Sequence, residues 1–227
     1  MMSPLEQARF NMIEQQIRPW DVLDPLVLDL LAVVKREQFV PLAHKALAFV
    51  DMEIPLLGSE DEAMRKGHCM LAPRVEARML QDLKVAPTDR VLEIGAGSGY
   101  MAALLAHQAQ RVITLEIDAQ LAALARENLQ KAGVPNVEVR HADGMRDLSV
   151  DGPFDAIVLS GSVAVLPPGL LQLLKPGGRL AAIVGSEPVM RATFVTRAGA
   201  NDFRTVQPWD TLAPRLLNFP EPSGFTF

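Results

Sequence analysis

The chain has a single cysteine, Cys69, among its 227 residues, so no intramolecular disulfide can form. Its four histidines, His44, His68, His107 and His141, make no HxxxH pair, and without a second cysteine the pattern supplies no metal site. Positive charge is also short. Against 27 aspartates and glutamates stand 22 lysines and arginines, a formal net charge of −5. That balance, with an isoelectric point near 5.4, argues against a broad surface for nucleic acid or an anionic membrane. No apolar run approaches the roughly 18 residues of a membrane span, and the opening MMSPLEQARFN lacks the basic and apolar regions of a signal peptide. The expectation is a cytoplasmic protein with neither membrane nor nucleic acid as partner. Ser98 and Ser160 stand in GAGSGY and VLSGSV, not in a GxSxG elbow, so the sequence sign of a serine hydrolase is missing. Internal repeats and low-complexity tracts are missing too.

What remains is 49% hydrophobic and 22% charged, enough for one α/β domain with a substantial core. Ser3, Pro4 and Glu6 form a helix-start signature, followed at helical spacing by Leu5, Ala8, Met12, Ile13 and Ile17. A second helix is expected from Asp24-Pro25, burying Leu26, Val27, Leu30, Leu31 and Val34. From Asp51 to Pro73 prolines and glycines interrupt the pattern, and Glu60-Asp61-Glu62 suggests a solvated turn. This stretch is expected to be a loop-rich lid or approach to a site, so residues 1–73 form a helical and approach segment and 74–227 the core of one domain.

Beyond Pro73 helices near 74–84, 99–107 and 119–132 alternate with strands near 90–94, 111–116, 137–141 and 154–160. Alternation of this kind predicts a Rossmann-like, doubly wound, mostly parallel sheet of about seven strands with helices on both faces. Lys175-Pro176-Gly177-Gly178 is expected to turn the chain into a strand from Arg179 to Val184, with further extended stretches near 189–197 and 203–209. The final FPEPSGFTF suits a docked irregular tail better than a helix.

Chemistry concentrates in VLEIGAGSGY, residues 91–100, where a buried-strand pattern runs into Gly95, Gly97 and Gly99 and then a helix. Glycines let the backbone bend sharply and approach a ligand, and free N–H groups at the helix start favour negative charge. A GxGxxG dinucleotide fingerprint would need glycine at Tyr100, which sets a nicotinamide oxidoreductase far behind. ExGxGxG instead resembles the S-adenosylmethionine (SAM) loop of class I methyltransferases. That ligand would be held by the backbone of Gly95, Ala96, Gly97, Ser98 and Gly99, with Glu93 facing its polar end. Glu116, closing VITLE some twenty residues on and followed by Ile117, can accept from ribose hydroxyls. Asp143, before Gly144, is placed to accept from the adenine amino group, and Ser160 with Gly161 ends a strand that opens on the crevice.

Together REQFVP (36–41), IPLLG (54–58), VLEIGAGSGY, ITLEID, ARENLQKAG, NVEVRHADG, PFDAIVLSGSV and LLKPGGRLAAIVG resemble the protein-L-isoaspartate O-methyltransferase family over most of the chain. The resemblance implies a Rossmann-like core that binds SAM, releases S-adenosyl-L-homocysteine (SAH), and methylates the carboxylate of isoaspartyl residues in damaged proteins or peptides. It departs where the acceptor should sit. Cys69 and Leu71 occupy the positions of the family's threonine and active-site serine, and Thr211 to Leu216 replaces its substrate strand. An ionised carboxylate needs no general base, so methyl transfer could survive these losses. A neutral or small-molecule acceptor would want a base, for which His68 is the nearest candidate, and loss of catalysis with retained SAM binding is the further alternative.

Overall fold

The amino-terminal signature folds as its residues dictate. Helix α1 (Pro4–Met12) starts at Ser3, whose hydroxyl accepts from Glu6 N while the Glu6 carboxylate accepts from Ser3 N, a reciprocal capping box. It runs on through a π-helical turn at Ile13–Ile17, and Asp24 caps α2 (Pro25–Val33). Met12, Ile13 and Ile17 are buried, as their spacing implies, but Leu5 and Leu26 are 56% and 70% exposed. In α2 nearly every position is apolar, so spacing cannot select the inward face; Leu28 is buried instead of Leu26. In α1 the unexpected buried side chain is Arg9, paired with Glu37.

The interrupted stretch that follows has more structure than its prolines suggest. Strands β1 (Ile54–Pro55) and β2 (Cys69–Met70) pair antiparallel around α3 (Glu60–Lys66). The acidic run expected as a solvated turn is the first turn of α3, capped by Ser59, where its carboxylates meet the positive end of the helix dipole.

In this computed structural model, which describes residues 2–146 and 152–222, the core then builds as α4 (Pro73–Leu83), β3 (Arg90–Ile94), α5 (Tyr100–Gln108), β4 (Arg111–Glu116), α6 (Ala119–Lys131) and β5 (Val137–His141). After it come β6 (Phe154–Val163), α7 (Pro168–Gln172), β7 (Leu174–Ser186), β8 (Val189–Arg197) and β9 (Phe203–Thr211). The seven-stranded sheet has the order β5-β4-β3-β6-β7-β8-β9. Its first five strands are parallel, while β8 and β9 are added antiparallel to their neighbours. The anticipated Lys175–Gly178 turn lies inside β7, absorbed by a register shift against β6; Gly177 has φ +78°, and a Cβ on Gly178 would lie 2.8 Å from Lys175 O.

Alternate residues of the central strands bury on opposite faces. Val91, Val112, Ala156, Val158 and Ala181 join the larger cluster with residues of α2, α4, α5 and α6. Leu92, Ile94, Ile113, Leu115, Ile157 and Leu159 join the smaller one with Leu170 of α7 and Phe219. Strand order reverses between β3 and β6, which opens a crevice at their carboxyl ends. Of the expected tail, residues 219–222 are irregular and 223–227 lie outside the described residues.

Candidate active site

The loop after β3 turns because Gly95, Gly97 and Gly99 adopt φ values of +95°, +51° and +84°, a region that side-chain-bearing residues rarely enter. Gly99 also presses on α6, since a Cβ there would lie 3.2 Å from Ala125 O. Ser98 faces the same way: its carbonyl accepts from Asn128 Nδ2 at 2.9 Å and its hydroxyl from Tyr100 N at 3.3 Å. Glu116, at the end of β4, reaches back to the loop. Its Oε2 accepts from Gly97 N at 2.9 Å and its Oε1 from Asp118 N at 3.1 Å. Burial raises the Glu116 pKa, against the lowering effect of these two N–H groups.

A cavity of about 60 Å³ lies in the crevice, well short of the roughly 300–1,000 Å³ of small-molecule sites. Gly95, Gly97, Glu116, Ile117, Gly144 and Ser160 border it on the sheet side, with Lys66, Gly67, His68 and Cys69 opposite. Arg215, Leu216, Leu217 and Phe219 also border it. The structure therefore gathers His68 and much of the anticipated cofactor set around one space, while Glu93, Ala96, Ser98, Gly99 and Asp143 do not line it. Glu93, expected to face a ligand, is fully buried: Ser160 Oγ donates to its Oε1 at 2.7 Å, and the Thr114 hydroxyl also acts on its carboxyl. Burial pushes that carboxyl up to about 8. Asp143 is already engaged, accepting from Met145 N and from the distant Asn218 Nδ2, each at 2.9 Å.

On the facing wall His68 Nε2 is 3.9 Å from Asp118 Oδ2. Cys69 turns toward Met64, Sγ to Sδ 3.3 Å, and burial pushes its thiol up to about 12, so it carries no thiolate near neutrality. Leu71 is 5% exposed and does not line the cavity. Its carbonyl accepts from Arg36 Nη2 at 2.9 Å, and Arg36 also donates to Glu76 at 2.6 Å and to Ala48 O at 3.1 Å. The guanidinium stands 5.2 Å from the centre of the Tyr100 ring, which ties this wall to the start of α5. Burial pushes Glu76 up to about 7 against the opposing pull of Arg36. Sequence reasoning gave Arg36 and Glu76 no role. The available signal was a carboxylate on the apolar face of α4, among Val75, Ala77, Met79 and Leu80, which requires a buried partner.

The glycine loop at the point where strand order reverses, with an acid closing the next strand, defines a Rossmann-like SAM-dependent methyltransferase of class I. The residues present fit that cofactor: a positive-φ backbone loop at Gly95 and Gly97 and the Glu116 carboxylate border one crevice. The chain belongs to the protein-L-isoaspartate(D-aspartate) O-methyltransferase family, whose model matches residues 7–207. It is 39% identical to a protein-L-isoaspartate O-methyltransferase of Koribacter versatilis (strain Ellin345) over 196 residues, 86% of this chain and 83% of that one. A namesake from Rhodopseudomonas palustris (strain ATCC BAA-98 / CGA009) is 36% identical over 221 residues, 95% and 98% of the two chains. The fold matches a Plasmodium falciparum chain described as a beta-aspartate methyltransferase and solved with SAH, at a TM-score of 0.73 and 19% identity, over 94% and 98% of the two chains. No described helix is long and apolar enough to cross a membrane.

Proposed function

We propose that residues 1–227 act as one methyltransferase domain that transfers a methyl group from SAM to the isoaspartyl carboxylate of damaged proteins or peptides. The observation that carries this reading is the cleft in which Gly95, Gly97, Glu116 and Ser160 face Gly67–Cys69 across one cavity. The sulfonium of the cofactor supplies an electrophilic methyl group. This chain's own residues then hold, orient and exclude water. Gly95 and Gly97, with Ala96 between them, present backbone to the methionine end, while Ser98 and Gly99 keep the loop seated on α6. Glu116 retains lone pairs beyond the two N–H groups it accepts, and these are assigned to the ribose hydroxyls. Ile117 and Gly144 border the adenine end, where Asp143 is assigned to the amino group. Glu93 acts at one remove, by orienting Ser160.

A carboxylate acceptor arrives ionised at neutral pH, so attack in line with the departing sulfur needs alignment and dryness, not proton removal. That chemistry is compatible with Cys69 and Leu71 replacing hydroxyl side chains. One observation favours a second reading, a neutral protein or small-molecule acceptor: His68 borders the cavity within 3.9 Å of Asp118 and could take a proton.

The discriminating experiment is transfer of labelled methyl from SAM to an isoaspartyl peptide, with the matching aspartyl peptide as control. Isoaspartyl-selective labelling is expected. Folded protein that binds SAH yet labels neither peptide would overturn the acceptor assignment, and would point to another acceptor or to binding without turnover.

A further inference from the structure

The segment after β9 does more than close the sheet. It leaves Thr211 and returns over the carboxyl end of β6, where Ser162 fastens it. Ser162 N donates to Pro214 O at 2.7 Å, Leu216 N donates to Ser162 O at 2.9 Å, and Ser162 Oγ donates to Ala213 O at 2.8 Å. Arg215 adds Nη1 to Gly185 O at 2.9 Å. From that anchor the chain dips into the cleft. A Cβ on Gly95 and a Cβ on Gly161 would each lie 2.8 Å from the same atom, Leu216 Cδ2. A methyl group of Leu216 therefore fills the gap between the glycine loop and the end of β6, where bare backbone faces a ligand. Two residues on, Asn218 Nδ2 donates to Asp143 Oδ2 at 2.9 Å. An amide N–H thus satisfies the carboxylate assigned above to the adenine amino group. Phe219 is 7% exposed in the cluster that contains Ile94 and Leu115, and it borders the same cavity.

Apolar group on the loop, N–H donor on Asp143 and ring beside the strand ends follow the order of a methionine chain, an amino group and a purine. We propose that Leu216–Phe219 is a built-in plug that occupies part of the cofactor's seat, held there by the Ser162 contacts, and that SAM enters only when those contacts release and it withdraws. The proposal rests on the cofactor reading above. Because one seat cannot hold both, the apparent Kd exceeds the intrinsic Kd by the inverse of the fraction in which the plug is out. It also makes SAM binding expose Leu216 and Phe219, apolar side chains that become available to the acceptor side of the cleft.

Hydrogen exchange of the intact chain with and without SAH, together with calorimetric titration of SAH, tests this. Displacement predicts faster exchange at 213–219 on binding, while the glycine loop slows. L216A should bind SAH about tenfold or more tightly than the parent, as follows if the plug is out in 10% or less of molecules. N218A, a milder change on the surface, should shift binding in the same direction. Slower exchange at 213–219 with SAH, and unchanged or weaker binding by both variants, would overturn the plug and make the segment an ordinary wall of the site. If neither parent nor variants bind SAH, the cofactor reading itself fails and takes the plug with it.

Discussion

Between Arg90 and Gly144 one wall of the cleft is continuous chain, three parallel strands and two helices, whose ligand-facing parts are backbone turns and the acid at the end of β4. The wall opposite is assembled from distant pieces: Lys66–Cys69 line it, and Arg36, bonded to Leu71 O and to Glu76 of α4, braces it from behind. One is held by main-chain geometry that few residues dictate. The other is held by side chains that meet only after folding, above all by a buried ion pair with a side-chain exposure of 0% for Arg36 and 5% for Glu76. The difference teaches that the first wall rests on local turn geometry and Glu116, whereas the opposite wall depends on a few costly buried groups.

The largest effect should come from breaking the ion pair. Glu76→Ala leaves Arg36 charged and buried without its partner, so unfolding in urea should show a loss of about 3–5 kcal/mol. A loss below about 1 kcal/mol would mean that the opposite wall is not held this way. Next is the pH response of Glu93. Its folded pKa of about 8 lies above the ordinary carboxyl value of 4.5, so between these values the folded state binds more protons than the unfolded one. The stabilisation is complete below 4.5 and is lost as pH rises through 8, a drop of a few kcal/mol that Glu93→Gln should flatten. Equal slopes of stability against pH for the two proteins would contradict the buried neutral carboxyl.

A smaller effect is expected at the rim. Glu116→Gln weakens charge-assisted bonds to Gly97 N and Asp118 N and the contact assigned to ribose, so SAH affinity should fall on the order of 10–100-fold. Calorimetry showing unchanged affinity would remove Glu116 from the cofactor wall. Smallest of all is His68→Gln, which should alter kcat/KM for an isoaspartyl peptide by less than about tenfold, because an ionised acceptor needs no base. A loss of 100-fold or more would transfer the site to a neutral acceptor.

Residue order alone determined the glycine loop, the acid that closes β4 and the sheet around them. Alternating strand and helix periods, the positive-φ glycines and the acid closing β4 are local features, and short-range sterics and hydrogen bonding suffice to express them. The capping box at Ser3 and Glu6 was legible for the same reason. Tertiary structure alone decided which face of α2 is buried and that Glu93 lies behind the wall it was expected to line. It also decided that Arg36 finds Glu76 across 40 positions, and that Asn218 finds Asp143 across 75. Such pairings are set by packing between elements far apart in the chain, and neither periodicity nor motif spacing encodes which buried charge or amide will meet which partner.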